Sequence, residues 1–239
     1  MTRAGVGKPS PAFILPLEYQ MRPAYTLTAA PATEPITYDQ AAEHLRVDSA
    51  DDIAYITALI PAAREYIDSV TGRVSVLSSW KCTACTWGDL MEGYVVNDWR
   101  GAPTMWCNPV NGNGLIAMAK LFRAPLVAVQ SVSYYAPGAS SLTTMSGSLY
   151  RAITGYEPGL IQFTGDIPSL DDRPDAIQIA FTAGYATASE TPAVLKHAIK
   201  IMVAHFYETR TPIAFAIPSE IPFTLSNLIA HQKLAGWIA

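Results

Sequence analysis

From Ile36 to Gly72 the apolar positions recur in steps of three and four, from Arg73 to residue 190 they alternate, and from Thr191 the longer step returns. A period near 3.6 buries one stripe of a helix and a period of two buries one face of a strand, so the chain reads as helices, then sheet, then helices. In the first block Ile53, Ile56, Ile60, Ala63, Ile67 and Val70 lie on one helical stripe. Thr37 and Gln40 have the spacing of a capping box at a first, shorter helix, and Ser49 with Asp52 repeats it at the longer one. Asp48, Asp51 and Asp52 place negative charge by that N-terminus, where the helix dipole favours it. Gly72 stands just past the last turn, a position that asks for positive φ. Pro61 lies inside the stripe, lacks a backbone donor and predicts a bend.

Past Gly72, Val74, Val76, Ser78, Trp80 and Cys82 share one side of a predicted strand. Met91–Gly114, rich in Gly, Asn and aromatics, reads as a long loop or a hairpin, and Leu115–Phe122 as a strand or short helix. The runs LVAVQSVSYY, SLYRAI, LIQFTG and AIQIAFTAGYA are further strands, the last with Ile177, Ile179 and Phe181 on one face. Short strands at this spacing, parted by Gly and Pro turns, indicate an antiparallel arrangement. Thr191 as N-cap and Pro192 as first helical residue then open a helix whose stripe is Leu195, Ile199, Met202 and Phe206. A last short helix spans Pro222–His231. Neither helical stripe can be buried alone, so the simplest packing sets Ile53–Val70 against Leu195–Phe206. The expected fold is α+β: a small helical bundle, made of a helical hairpin and the C-terminal helices, carrying an inserted antiparallel β subdomain. The expected divisions are an extended, proline-rich arm over 1–35, the hairpin over 36–72, the β-rich insertion over 73–190, and the C-terminal helices and tail over 191–239.

Charge changes this picture in one place. The chain carries −4 overall, yet 36–72 alone holds seven carboxylates against two arginines, a net −5. The remainder is near neutral with its Lys and Arg scattered, which removes the basic stripe that a direct DNA-binding module needs. Half of the residues are hydrophobic and only 15% are charged, a balance that suits an assembly subunit with apolar surface to cover. No apolar run reaches the roughly 18 residues of a membrane span. FILPL near the start is short and broken by Pro16, so no signal peptide is expected.

Cys82, Cys85 and Cys107 are an odd count that speaks against a disulfide framework and for a reduced cytoplasm. Cys82 and Cys85 form a C-x-x-C on an alternating stretch, which points them to opposite faces and away from a shared metal or redox site. For an enzyme the best ingredients are His44, His197, His205 and His231, with Glu43 and Glu208 nearby. No H-E-x-x-H, nucleophile motif or glycine-rich phosphate loop accompanies them, and no cofactor is expected.

The stretches PITYDQAAEHLRVDSADDIAYITALIPAAREYIDSVTGR, RAPLVAVQSVSYY, IQIAFTAGYA, TPAVLKHAIKIMVAHFYETR and EIPFTLSNLIAHQKL follow one another from Pro35 to Leu234. Each is degenerate by itself; together and in order they resemble the head–tail connector, or adaptor, proteins of long-tailed phages and related prophage and gene-transfer particles. Pro61, the Met91–Gly114 stretch and the long N-terminal arm depart from that pattern. The resemblance implies a structural virion protein of the head–tail neck, made in the bacterial host cytoplasm, and not an enzyme. It implies a ring, expected twelvefold, beneath the portal protein. The partners are then further copies of the chain, the portal, and a tail-side stopper or neck protein. Packaged DNA passes through without sequence-specific binding, and no membrane is involved.

The family's C-terminal segments embrace the portal, which makes Phe223, Leu225, Leu228, Leu234, Trp237 and Ile238 the docking candidates here. The alternative is that Phe223, Leu225 and Leu228 are core of the subunit itself. If Asp48, Asp51, Asp52 and Glu65 face the channel, like-charge repulsion keeps DNA off its wall. A small-molecule enzyme with an α+β fold and a direct DNA-binding module are the competing classes.

Overall fold

The alternating stretches form antiparallel sheets and the longer-period stretches form helices, in a computed structural model that describes residues 22–48, 50–91, 95–97, 103–105, 118–164, 167–209 and 223–236. In chain order come β1 (Ala24–Ala29), α1 (Tyr38–Leu45), a 3-10 turn over 50–52, α2 (Ile53–Thr71), β2 (Ser78–Ala84) and the four-residue α3 (Trp87–Leu90). Then follow β3 (Val95–Asn97), β4 (Pro103–Met105), β5 (Met118–Leu121), β6 (Leu126–Tyr134) and β7 (Thr143–Thr144). The chain continues through β8 (Tyr150–Ile153), β9 (Gly159–Phe163), β10 (Ile177–Ala183), α4 (Ala193–Glu208) and α5 (Phe223–Ala230). The class is α+β.

A five-stranded sheet has the order β1-β2-β10-β6-β7 and a three-stranded one the order β5-β9-β8; β3 and β4 pair by themselves. Every pairing between these strands is antiparallel. Ile179 of β10 lies opposite Cys82 on one side and Val132 on the other, so the inward positions of three strands fall in line. Cys82, Ile177, Ile179 and Phe181 are fully buried, and they share one core with Leu121, Ile161, Phe163, Trp87 and Leu90. The Met91–Gly114 stretch takes its hairpin alternative, as Val95 pairs with Met105 and Asn97 with Pro103. Leu115–Phe122 takes its strand alternative as β5.

β1 falls within the extended arm expected over 1–35. Its residues belong to the sheet, with Tyr25 opposite Cys82 and Leu27 opposite Trp80. Tyr25 and Leu27 do alternate, but Pro23 and Pro31 bracket them and mask the strand; proline is compatible with an edge strand of this kind. The β-rich part therefore takes one strand from before the helical hairpin. Residues 1–21 lie outside the described residues.

The helices enclose a second core. Ile56, Ile60, Ala63 and Ile67 of α2 meet Leu195, Ala198, Ile199, Met202 and Val203 of α4, with Ala41 of α1 and Leu225 and Ile229 of α5. Each such aliphatic side chain contributes roughly 1.5–3 kcal/mol when fully buried, which outweighs the helix-propensity differences along these segments. α2 runs unbroken past Pro61, and Ile53 at the head of its stripe is 44% exposed, beyond the reach of that core.

The Thr37–Gln40 capping box is present in both directions. Ser49 lies outside the described residues, and Asp52, the N-cap of α2, makes no side-chain cap bond. At α4 the expected register slips by one, with Pro192 as N-cap. The buried Thr191 hydroxyl donates instead to the Ser75 carbonyl at 2.7 Å, a partner that local sequence cannot reveal.

Gly184 closes β10 at φ +114°, and a Cβ there would stand 2.4 Å from the Val76 carbonyl oxygen. Gly184→Ala is expected to cost about 2 kcal/mol or more of unfolding free energy in urea titration of the full chain. A change below about 0.5 kcal/mol would show that the backbone there yields freely.

Candidate functional site

The last turn of α2 carries the joint between the two cores. Asp68 is 4% exposed, and its carboxylate accepts the Ser75 backbone N–H at 3.1 and 3.2 Å and the Ser75 hydroxyl at 2.5 Å. Arg64, one turn back and also buried, stands 3.8 Å from Asp68 and donates through Nε to Glu34 at 2.8 Å. From the sheet side Arg123 reaches the Asp68 carbonyl at 3.4 Å, its guanidinium 4.6 Å over Trp80 and 5.6 Å over Tyr25.

Gly72 ends the helix at φ +73°, and Arg73 beyond it pairs with Ala124 in a single parallel bridge. Arg73 then donates to the Gln232 carbonyl and to Glu157, both at 2.7 Å. Burial is the largest influence on Asp68 and pushes its carboxyl up to about 6, against the Ser75 bonds and the two arginines, which favour the charged form. Burial likewise pushes the Arg123 guanidinium down and the Cys82 thiol up to about 12.

The residues expected to act at surfaces divide clearly. Leu225 is 0% and Leu234 4% exposed, so both are core of the subunit, and the Leu234 N–H is bonded to the Thr71 carbonyl at 2.9 Å. Leu228 is half-buried against the helical core. The side chain of Phe223, and all of Trp237 and Ile238, lie outside the described residues. Asp48 and Asp51 are exposed, and Glu65 is exposed with Arg64 3.4 Å away. Asp52 turns inward and accepts the Tyr207 hydroxyl at 2.6 Å. These acids do not form one cluster, because Glu65 lies about 20 Å from Asp52 along α2.

Of the four histidines, the fold brings two together. The His44 and His197 rings meet edge to face at 5.9 Å, beside an open groove of about 220 Å³ lined by Gln40, Ala193, Lys196, His197 and Lys200. Burial first, then His197 and Lys200, push the His44 imidazole below its ordinary value. His205 packs beside Phe206, and His231 lies past α5. Cys82 is buried in the sheet core, while Cys85 sits half-exposed beyond the strand end; Cys107 is outside the described residues. Among the described residues no helix is long and apolar enough to cross a membrane.

The fold is shared with chains of gene transfer agent particles. One belongs to the neck of an empty particle computed with C6 symmetry: 19% identical, TM-score 0.63, with 90% of this chain matched to 97% of that one. A second, from the virion of a native particle, is 20% identical with TM-score 0.61 over 90% of this chain and 97% of the other. A third, from the neck of a native particle computed with C12 symmetry, is 19% identical with TM-score 0.55, covering 89% and 97%. No protein-family model and no curated protein matches the sequence.

The joint makes a pH prediction. Asp68 keeps its proton up to about pH 6 when folded, against 3.8 for an unperturbed carboxyl. Between those values the folded chain binds the extra proton, so this group stabilises the fold on acidification and loses that contribution as pH rises through 6. The stability difference between wild type and Asp68→Asn should therefore shift by roughly 2–3 kcal/mol in favour of wild type from pH 7 to pH 4. Denaturant unfolding across that range checks it, and a flat difference counts against the buried carboxyl.

Proposed function

We propose that this chain is a structural virion protein, a head–tail connector or adaptor that forms a ring between the portal protein and the tail-side stopper or neck protein and extends the DNA channel. The observation that carries the reading is the fold likeness to gene transfer agent neck chains, which spans nearly the full length of both chains. The two neck assemblies were computed with C6 and C12 symmetry, which supports a ring, expected twelvefold. The high apolar fraction fits a subunit that buries surface against neighbours.

The histidine groove supports an enzyme poorly, since no carboxylate is among the described residues that line it and none of those residues forms an ion pair. Exposed carboxylates such as Glu65, turned to the channel, would repel passing DNA. With Leu225 and Leu234 committed to the subunit core, portal docking falls to Phe223, Leu228, Trp237 and Ile238.

Purified chain, alone or with portal, is expected to give ring-sized particles by native mass spectrometry and negative-stain imaging. A species that stays monomeric in both conditions refutes the connector reading. Truncation after Gly236 spares Leu234 and its bond to Thr71, and should weaken co-purification with the portal at least several-fold while leaving the thermal melt unchanged. Equal portal recovery would remove the docking role of Trp237 and Ile238.

A further inference from the structure

We propose that the groove between α1 and the first two turns of α4 is a socket in which one copy of this chain receives the acidic corner, Asp48 and Asp51, of the next copy; the inference rests on the ring reading above. Gln40 and His44 stand one turn apart on α1, and Ala193, Lys196, His197 and Lys200 fall at helical steps on the side of α4 that lines the groove. Two ammoniums and one imidazole line it, with His44 beside that imidazole, and none of the four forms an ion pair among the described residues. Lys196 donates to the Ala188 carbonyl at 2.9 Å, which holds its charge at the rim. Burial first, and then the nearby His197 and Lys200, disfavour a proton on His44, and the like-charge part of this is relieved when an anionic group enters.

The matching charge is on the same chain, at the corner that leads from α1 into α2. Tyr207 bonds Asp52, which sets the corner beside the last turns of α4, about 10–16 Å along that helix from Lys200 and Lys196. A patch displaced from its complement within one chain meets it on a shifted neighbour. Such a contact is heterologous, the kind that closes into rings. Asp39 and Glu43, exposed on the adjoining face of α1, border the socket with negative charge. A DNA duplex would bring a run of phosphates across them, whereas the corner brings two carboxylates to two lysines. The corner then stands at the seam between copies and leaves Glu65 to the channel wall.

Charge reversal on the full-length chain tests the socket. Lys196→Glu with Lys200→Glu, and separately Asp48→Lys with Asp51→Lys, should each weaken ring assembly on the order of tenfold in mass photometry. Each should keep the wild-type thermal melt, and all four reversals together should restore rings. Because Lys196 also holds Ala188, Lys200→Glu alone serves as the variant that leaves that bond in place. Rings that persist in both double variants, or a fourfold variant that stays dissociated, sink the socket and leave the ring reading standing. A wild type that is monomeric with and without portal removes both. Salt-dependent binding of a short DNA duplex, lost in the lysine double variant while assembly is unchanged, assigns the groove to phosphate and overturns the proposal.

Discussion

A carboxylate taken out of water must be met by donors, and Asp68 is met from three directions. Its own helix supplies Arg64, the turn after that helix supplies the backbone and hydroxyl of Ser75, and the sheet side supplies Arg123 to the neighbouring carbonyl. Buried charge is tolerated only when such partners are complete, so the end of α2, the start of β2 and the approach to β6 are held in one mutual arrangement. Thr191 adds a fourth element by donating to the Ser75 carbonyl just ahead of α4. The two apolar cores are thereby held in register by a polar joint, and non-directional hydrophobic contact could not set that register alone.

The joint also changes how the charge of this region is understood. Seven carboxylates lie in 36–72, but Asp68 is enclosed with Arg64, and Asp52 is held by Tyr207. The acidic character that solvent or a partner meets comes from Asp39, Glu43, Asp48, Asp51 and Glu65, all exposed. They are spread along the helical hairpin, with Glu65 about 20 Å along α2 from the corner that holds Asp52.

Local chemistry was legible in the chain, and non-local chemistry was not. The Thr37–Gln40 box and the Gly72 stop depend on residues within one turn and stand where the spacing put them. The stripes of α2 and α4 were readable because burial repeats with the helix period, and their pairing follows from each lacking any other cover. Thr191 was misplaced by one position because its acceptor, Ser75, lies far back in the chain. β1 was hidden because a six-residue strand between prolines shows itself only through its partner β2. The groove was invisible for the same reason: His197 and His205 share a helix, but the ring that His197 meets belongs to His44 on α1. Leu225 and Leu234, apolar and near the end of the chain, could not be told from a docking face until their burial was known.

The order of elements has a consequence for synthesis. α2 is made early and its cover, α4, late, with nearly the whole sheet between them; β2 likewise waits for β10. Contacts this distant in the chain form slowly, and the isoleucine stripe of α2 stays uncovered in water until they do. A chain cut anywhere before Ile177 closes neither core. Copies cut before that point therefore lack both closed cores, and an assembly built from this chain would be restricted to subunits finished through α4 by the connectivity of the fold itself.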